Sequence, residues 1–307
     1  MIQYDPHRWF DHLFDVKGSL ILEITPRVLA CVFWAGAVVA FDRWAWPAGV
    51  PSTVHTLVGT ALGLLLVFRT NSSYDRFWEG RRLWGNLINE CRNLARCAAV
   101  HLKADPVIQD HVIRWTGIFP YAVKNVLRGT EGLGPIADEL PKAELDWVIH
   151  SEHPPLSVAT RITARLVKAR DKGLISDIIL WELDHNVQQL VDYLGACERI
   201  HTTPLPYAYM VHLRRVLILY CLTLTFALVD TFGWLTVPAV LGVAYTFFGI
   251  EEIGVEIEDP FGNDLNDLAL EDLCAKIAKN LLALSGHHDE ADAHQIDTGE
   301  TIKIGVQ

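Results

Sequence analysis

The sequence predicts an all-α membrane protein with four transmembrane helices per chain and a large helical region outside the bilayer. Three observations carry this. Four uncharged apolar runs occur as two hairpins with short loops. The cations are crowded into the long segment between those hairpins. That segment reads as amphipathic helices, with no alternating strand pattern.

The chain has 307 residues, half of them hydrophobic and 21% charged, with a mean hydropathy of +0.20. That combination describes a patchwork of apolar and charged stretches better than an even mixture. A net charge of −11 excludes nucleic acid as the main partner, because phosphate binding needs a basic surface. Six cysteines stand at Cys31, Cys91, Cys97, Cys197, Cys221 and Cys274, with no CxxC pair. They read as small buried apolar groups in a reducing compartment.

Residues 1–27 form a cytosolic N-terminal segment. "MIQYDPHRWFDHLFDVKGSL" lacks the basic start and apolar core of a cleavable signal. Residues 28–69 hold the first hairpin, "VLACVFWAGAVVAF" and "VHTLVGTALGLLLVF", and 216–250 hold the second, "VLILYCLTLTFALV" and "LTVPAVLGVAYTFFGI". Each run is shorter than the roughly 18–20 uncharged residues of a lone span. Tryptophan and tyrosine in or beside these runs (Trp34, Trp44, Trp46, Tyr220, Trp234) suit the two membrane interfaces. Of the 26 Lys and Arg, 19 lie between Arg69 and Arg215, whereas "DTFGWL" has none. Excess positive charge stays inside, so both termini and the middle face the cytoplasm.

The second run does not stop where its apolar half ends. "LGLLLVFRTNSSYDRFWEGRRLWG" turns polar at Arg69 with nothing to break a helix, which predicts one helix leaving the bilayer without interruption. Thr60, Leu64 and Phe68 fall four apart and share a face. Gly59 and Gly63 form a small-xxx-small pair on a neighbouring face, which permits close helix approach. The Thr/Leu/Phe stripe suits either an ordinary helix contact or the lining of a narrow axis. Arg76, Glu79 and Arg82 are expected to form exposed ion pairs of little individual worth.

Residues 70–215 form the cytosolic helical region. After the fourth run, 251–284 comprise a cytosolic helix, an acidic break at "EDPFGNDLNDL" and a following helix. Residues 285–307 are a polar tail. Glu252, Glu256 and Asp259 share a helical face, so their repulsion needs compensation by a bound cation or by arginines such as Arg76, Arg81 or Arg82. The chain contains no GxSxG, Walker A, HExxH or GxGxxG in a βαβ setting, and nothing in it suggests an enzyme.

"FRTNSSYDRFWEGRRLWG", "CERIHTTPLPYAY" and "EEIGVEIEDPFGNDLNDL" resemble, in the right order, motifs of the bacterial branch of the bestrophin ion channels. The resemblance runs from about Gly18 to about Leu282. It implies a homopentamer around a central pore, in which the second span lines a hydrophobic neck and a second constriction lies at the cytosolic end. Carried onto this chain, the neck falls on Thr60, Leu64 and Phe68, and the aperture on Ile179, with Ile178 as the alternative register. Apolar rings of this kind gate by dewetting when narrow. The resemblance also implies a bacterial inner-membrane protein whose partners are itself, lipid and monovalent ions.

Two departures from the family pattern matter. Thr60 and Leu64 replace bulky neck groups of the animal members, which predicts a wider, less hydrophobic neck. Selectivity is therefore open between chloride-type anions and monovalent cations such as sodium. The family's calcium clasp uses consecutive carboxylates after "PFG". Here "NDLNDL" keeps Asp264 and Asp267, near Asp259, but interposes Leu265 and Asn266. This leaves a vestigial clasp, no cofactor, and no activation by micromolar calcium. The competing class is a membrane-anchored, non-conducting scaffold for a cytosolic partner. A secondary transporter is disfavoured, because no charge interrupts the four apolar runs.

Overall fold

The computed structural model describes His7 and residues 18–285. Among the described residues there is no strand. The helices are α1 (Ile21–Trp44), α2 (Thr53–His101), α3 (Pro106–Arg128), α4 (Lys142–Ile149), α5 (Pro154–Asp171), α6 (Asp177–Thr202), α7 (Tyr207–Phe232), α8 (Thr236–Glu256) and α9 (Leu270–Ser285). Short 3₁₀ turns occupy Pro135–Glu139 and Gly233–Leu235. The expected 285–307 tail and most of the first 17 residues lie outside the described residues, so their placement is not part of this architecture.

Among the described residues three helical stretches are long and apolar enough to cross a membrane: Ile21–Trp44, Thr53–His101 and Tyr207–Glu256. The third contains both α7 and α8, so the four expected apolar runs sit in α1, α2, α7 and α8. The helices overrun those segments. α1 begins seven residues before Val28, and α2 continues for 49 residues through the point where the sequence turns from apolar to charged. Leaving hydrocarbon changes the side chains a helix tolerates, not its backbone hydrogen bonds.

The chain divides into two compact units, Met1–Arg81 with Ile200–Leu268, and Arg82–Arg199 with Ala269–Gln307. In the first unit the core comes from all four apolar helices. Ile24, Val28, Cys31 and Ala35 of α1 meet Leu62 and Leu66 of α2, Leu213, Leu217 and Cys221 of α7, and Val240, Ala244 and Phe248 of α8. The spacings of three, four and seven residues put each set on one helix face. Two hydroxyls of α2 are satisfied locally: Thr60 donates to the Thr56 carbonyl (2.9 Å) and Thr70 to that of Leu66 (2.9 Å). Such back-bonding lets threonine sit in an apolar helix without an orphaned O–H.

Both hairpin loops lie at one end of this bundle. The Trp44 ring meets Trp234 edge-on at 6.4 Å, and the Trp34 indole donates to the Leu222 carbonyl at 3.0 Å. The Val50 amide reaches the Phe226 carbonyl at 2.9 Å.

The second unit is built around α3, which packs against α5 and α9. Asp105 caps α3 by accepting from the Ile108 amide at 3.2 Å, Pro106 starts it, and Gly129 ends it at φ 61°. Glycine is favoured at that left-handed C-terminal position. Trp84, Trp115 and Phe119 are fully buried here.

Candidate functional site

The two faces of α2 differ sharply in the first unit. Leu62, Leu66, Arg69 and Ser73 are buried, whereas Thr60, Leu64, Phe68, Asn71 and Asp75 are exposed. Leu64 and Phe68 are each 56% exposed within the single chain. The stripe picked out by spacing is therefore not part of the intrachain core.

The two glycines behave differently. At Gly59 an added Cβ would lie 2.6 Å from the Tyr220 hydroxyl, so a side chain there would displace the tyrosine; at Gly63 the space is open. The expected glycine pair thus makes one close contact within the chain, because Tyr220 on α7 reaches only the upper position. Further along α2, Gly80 lies against Pro260 and Phe261, with a Cβ only 2.9 Å from the proline ring.

In the second unit, Ser176 accepts from the Ile179 amide at 3.4 Å at the start of α6. Ile178 projects outward, 77% exposed, while Ile179 is half-buried. Of the two aperture candidates, Ile178 presents the larger free apolar surface.

The compensation for the acidic break comes from arginines other than those expected. Arg27 of α1 binds Glu252 and lies 3.6 Å from Glu251. Arg214 of α7 binds Glu251 at 2.9 Å. Both glutamates are buried, Glu251 at 2% exposure. Arg69 is fully buried beside Met210, with Glu258 at 3.4 Å. Among the described residues Arg76 forms no helix-surface ion pair. Its guanidinium collects the carbonyls of Glu258 (3.1 Å), Ile200 (2.7 Å) and Thr203. Spacing along one helix could not reveal these partners, which lie up to 225 positions apart. One signal was present: Arg27, Arg69, Arg214 and Glu251 each lie within two residues of the end of an apolar run that is away from its hairpin loop. Charges at one depth on packed helices are placed to meet.

The vestigial clasp is a turn rather than a cage. Asp267 is buried, accepting from the Asp264 amide at 2.7 Å, while its own amide donates to the Asp264 carbonyl at 3.1 Å. Asp259 accepts from the Phe261 amide at 3.2 Å. An added Cβ at Gly262 would meet Asp267 Oδ2 at 2.6 Å and Asp259 Oδ2 at 3.5 Å. Glu256 accepts instead from the Asn266 amide group at 2.9 Å. Among the described residues no group of three or more His, Cys, Asp or Glu is arranged to hold a metal ion. Of the carboxylates in this turn, Asp259 and Asp267 each accept from a backbone amide and Glu256 from a side-chain amide.

Burial, reinforced by neighbouring Asp264, Asp259 and Glu256, pushes the Asp267 carboxyl up from 3.8 to about 6, against the lowering effect of the Asp264 amide. The folded chain therefore holds this proton more tightly than the unfolded chain does. The associated stability is complete below pH 3.8 and is lost as pH rises through about 6. Asp267→Asn, which keeps an oxygen acceptor for the Asp264 amide, is expected to melt a few degrees above the parent at pH 7.5 and with it at pH 4. Thermal unfolding at the two pH values checks this, and a gap that does not narrow in acid contradicts it.

The comparisons agree with this architecture. A family described as Bacterial/Fungal Bestrophin protein matches residues 1–283. The voltage-dependent anion channel-forming protein sll1024 of Synechocystis is 40% identical over 281 residues, 90% of this chain and 91% of that protein. A similarly named Nostoc protein, alr2987, is 37% identical over 97% of this chain and 98% of its own length. The crystal structure of a bacterial bestrophin homologue from Klebsiella pneumoniae superposes with a TM-score of 0.81 at 31% identity, covering 86% of this chain and 99% of that one.

Proposed function

This chain belongs to the bacterial and fungal bestrophin family, and from that premise we propose that it forms a homopentameric, hydrophobically gated ion channel in the bacterial inner membrane. Thr60, Leu64 and Phe68 form the neck, and Ile178, rather than Ile179, forms the cytosolic aperture. Four helices per chain cross the bilayer, with both termini in the cytoplasm. Anions of the chloride type are the main permeant class, a reading supported by the names of the Synechocystis and Nostoc relatives; monovalent cations such as sodium are the alternative.

One observation carries the reading. The apolar stripe of α2 faces away from the chain's own core, with Leu64 and Phe68 each 56% exposed. In a symmetric assembly such a face supplies an axial ring, which passes ions when wet and blocks them when it dries. The second reading, a non-conducting scaffold, leaves this stripe against lipid. Planar-bilayer recording under a KCl gradient separates the two. The expected result is a single-channel current reversing toward the chloride equilibrium potential; purified, reconstituted protein without current overturns the channel reading. Because two of the three clasp carboxylates, Asp259 and Asp267, accept from backbone amides, adding micromolar calcium to the bath is expected to leave the current unchanged, and a steep rise contradicts that account of the turn.

A further inference from the structure

The neck stripe does not end at Phe68. Continuing along the same exposed face of α2, the next polar positions are Asn71, Ser72 and then Asp75, all exposed. On a regular helix Asp75 lies within about 20° of Leu64 around the axis and about 10 Å beyond Phe68 along it. The opposite face is the buried one, carrying Leu62, Leu66, Arg69 and Ser73.

The neighbouring charges are otherwise occupied. Arg69 is turned inward toward Glu258, and Arg76 is spent on three carbonyls. Glu79, one turn further, already has a partner. Among the described residues Asp75 makes no hydrogen bond and no ion pair. It is thus an exposed, uncompensated carboxylate in line with the apolar stripe, on the cytosolic side of it.

We propose that Asp75 is a specificity-determining residue: a ring of its carboxylates beneath the neck weakens the channel's preference for anions. This rests on the channel reading above. The physical argument is local concentration. A ring of like charges in a confined, low-dielectric passage attracts counter-ions and repels co-ions before they reach the neck. Dehydration at Leu64 and Phe68 selects by ease of shedding water, whereas the carboxylate ring selects by sign. The two act in series, and neutralising the second leaves the first in place.

The test uses full-length protein in planar bilayers under a KCl gradient. Asp75→Asn is isosteric and exposed. It is expected to raise the chloride-to-potassium permeability ratio at least about threefold, and Asp75→Lys to raise it further. In 1 M salt, where screening acts over about 3 Å, the difference between parent and variants should shrink. As a second measurement, Asp75→Cys is modified from the cytosolic side. A negatively charged thiosulfonate should return the ratio toward that of the parent, and a positively charged one should move it the opposite way. If the parent conducts and the substitutions and both modifications leave the reversal potential unchanged, Asp75 does not face the conduction path and this inference falls alone. If the purified parent passes no current, the channel reading itself falls.

Discussion

Replacing Leu64 and Phe68 together with alanine is expected to raise resting ion flux through reconstituted protein about tenfold, with a loss of whatever closes the parent. The reason is wetting. In the proposed channel, each ring of bulky apolar side chains narrows the passage and offers water no hydrogen-bond partner, so the water column there is unstable. Truncation to methyl groups widens the ring and removes most of the apolar surface. A tenfold change corresponds to only about 1.4 kcal/mol of barrier, small beside the roughly 1.5–3 kcal/mol attached to one fully buried leucine or phenylalanine side chain. Because both side chains are more than half exposed in the chain, their loss should cost the fold little, so gel filtration and melting should match the parent. Flux measured by dye quenching or stopped-flow anion influx decides it. Unchanged flux in a folded double variant removes these residues from the pore.

Breaking the charge cluster at the end of the bundle away from the hairpin loops should have the largest effect on stability. Arg27→Ala leaves Glu252, 6% exposed, without its cation, while Glu251 keeps Arg214 at 2.9 Å. Removing one partner of a buried pair costs about 3–5 kcal/mol. Arg27 is itself partly solvated, so the lower end, about 3 kcal/mol, applies. This should lower the melting temperature by roughly 5–10 °C. The combined Arg27→Met, Glu252→Gln variant removes the stranded charge and should recover most of the loss, because uncharged replacements of similar volume avoid the desolvation cost. A single variant that melts with the parent, or a double variant no better than the single one, contradicts this account.

Much of the fold was legible because it is written in local periodicity. The four apolar runs, the amphipathic helices around Asn86–Leu102 and the uninterrupted passage of α2 from apolar to charged all follow from residue type at 3.6 spacing. The Thr60, Leu64 and Phe68 stripe was legible as a stripe. Whether it faced core or axis was not, since spacing fixes which residues share a face and is silent on what covers it. The burial of Leu62 and Leu66 against the exposure of Leu64 and Phe68 answers the first half of that question. Least legible were the arginine partners. Periodicity offered Arg76, Arg81 and Arg82 for the acidic break; the chain brings Arg27, Arg69 and Arg214 to its carboxylates, and Arg76 to the Glu258 carbonyl. Contacts between residues some 40 to 230 positions apart depend on how helices are laid side by side, which no window of sequence contains. The register of the aperture was open for a simpler reason: Ile178 and Ile179 are chemically alike, and only their different exposure separates them.

The span of those pairings bears on how the protein is made. Arg27 meets a partner 225 positions later, and Arg69 and Arg76 meet Glu258 at separations of 189 and 182. At translation speeds of about 5–20 residues per second, the first hairpin emerges on the order of ten to several tens of seconds before the ribosome has produced the groups that neutralise it. During that interval its arginines must stay in water, which pins the nascent hairpin in one orientation, and the last acidic turn to be synthesised clasps the whole bundle shut.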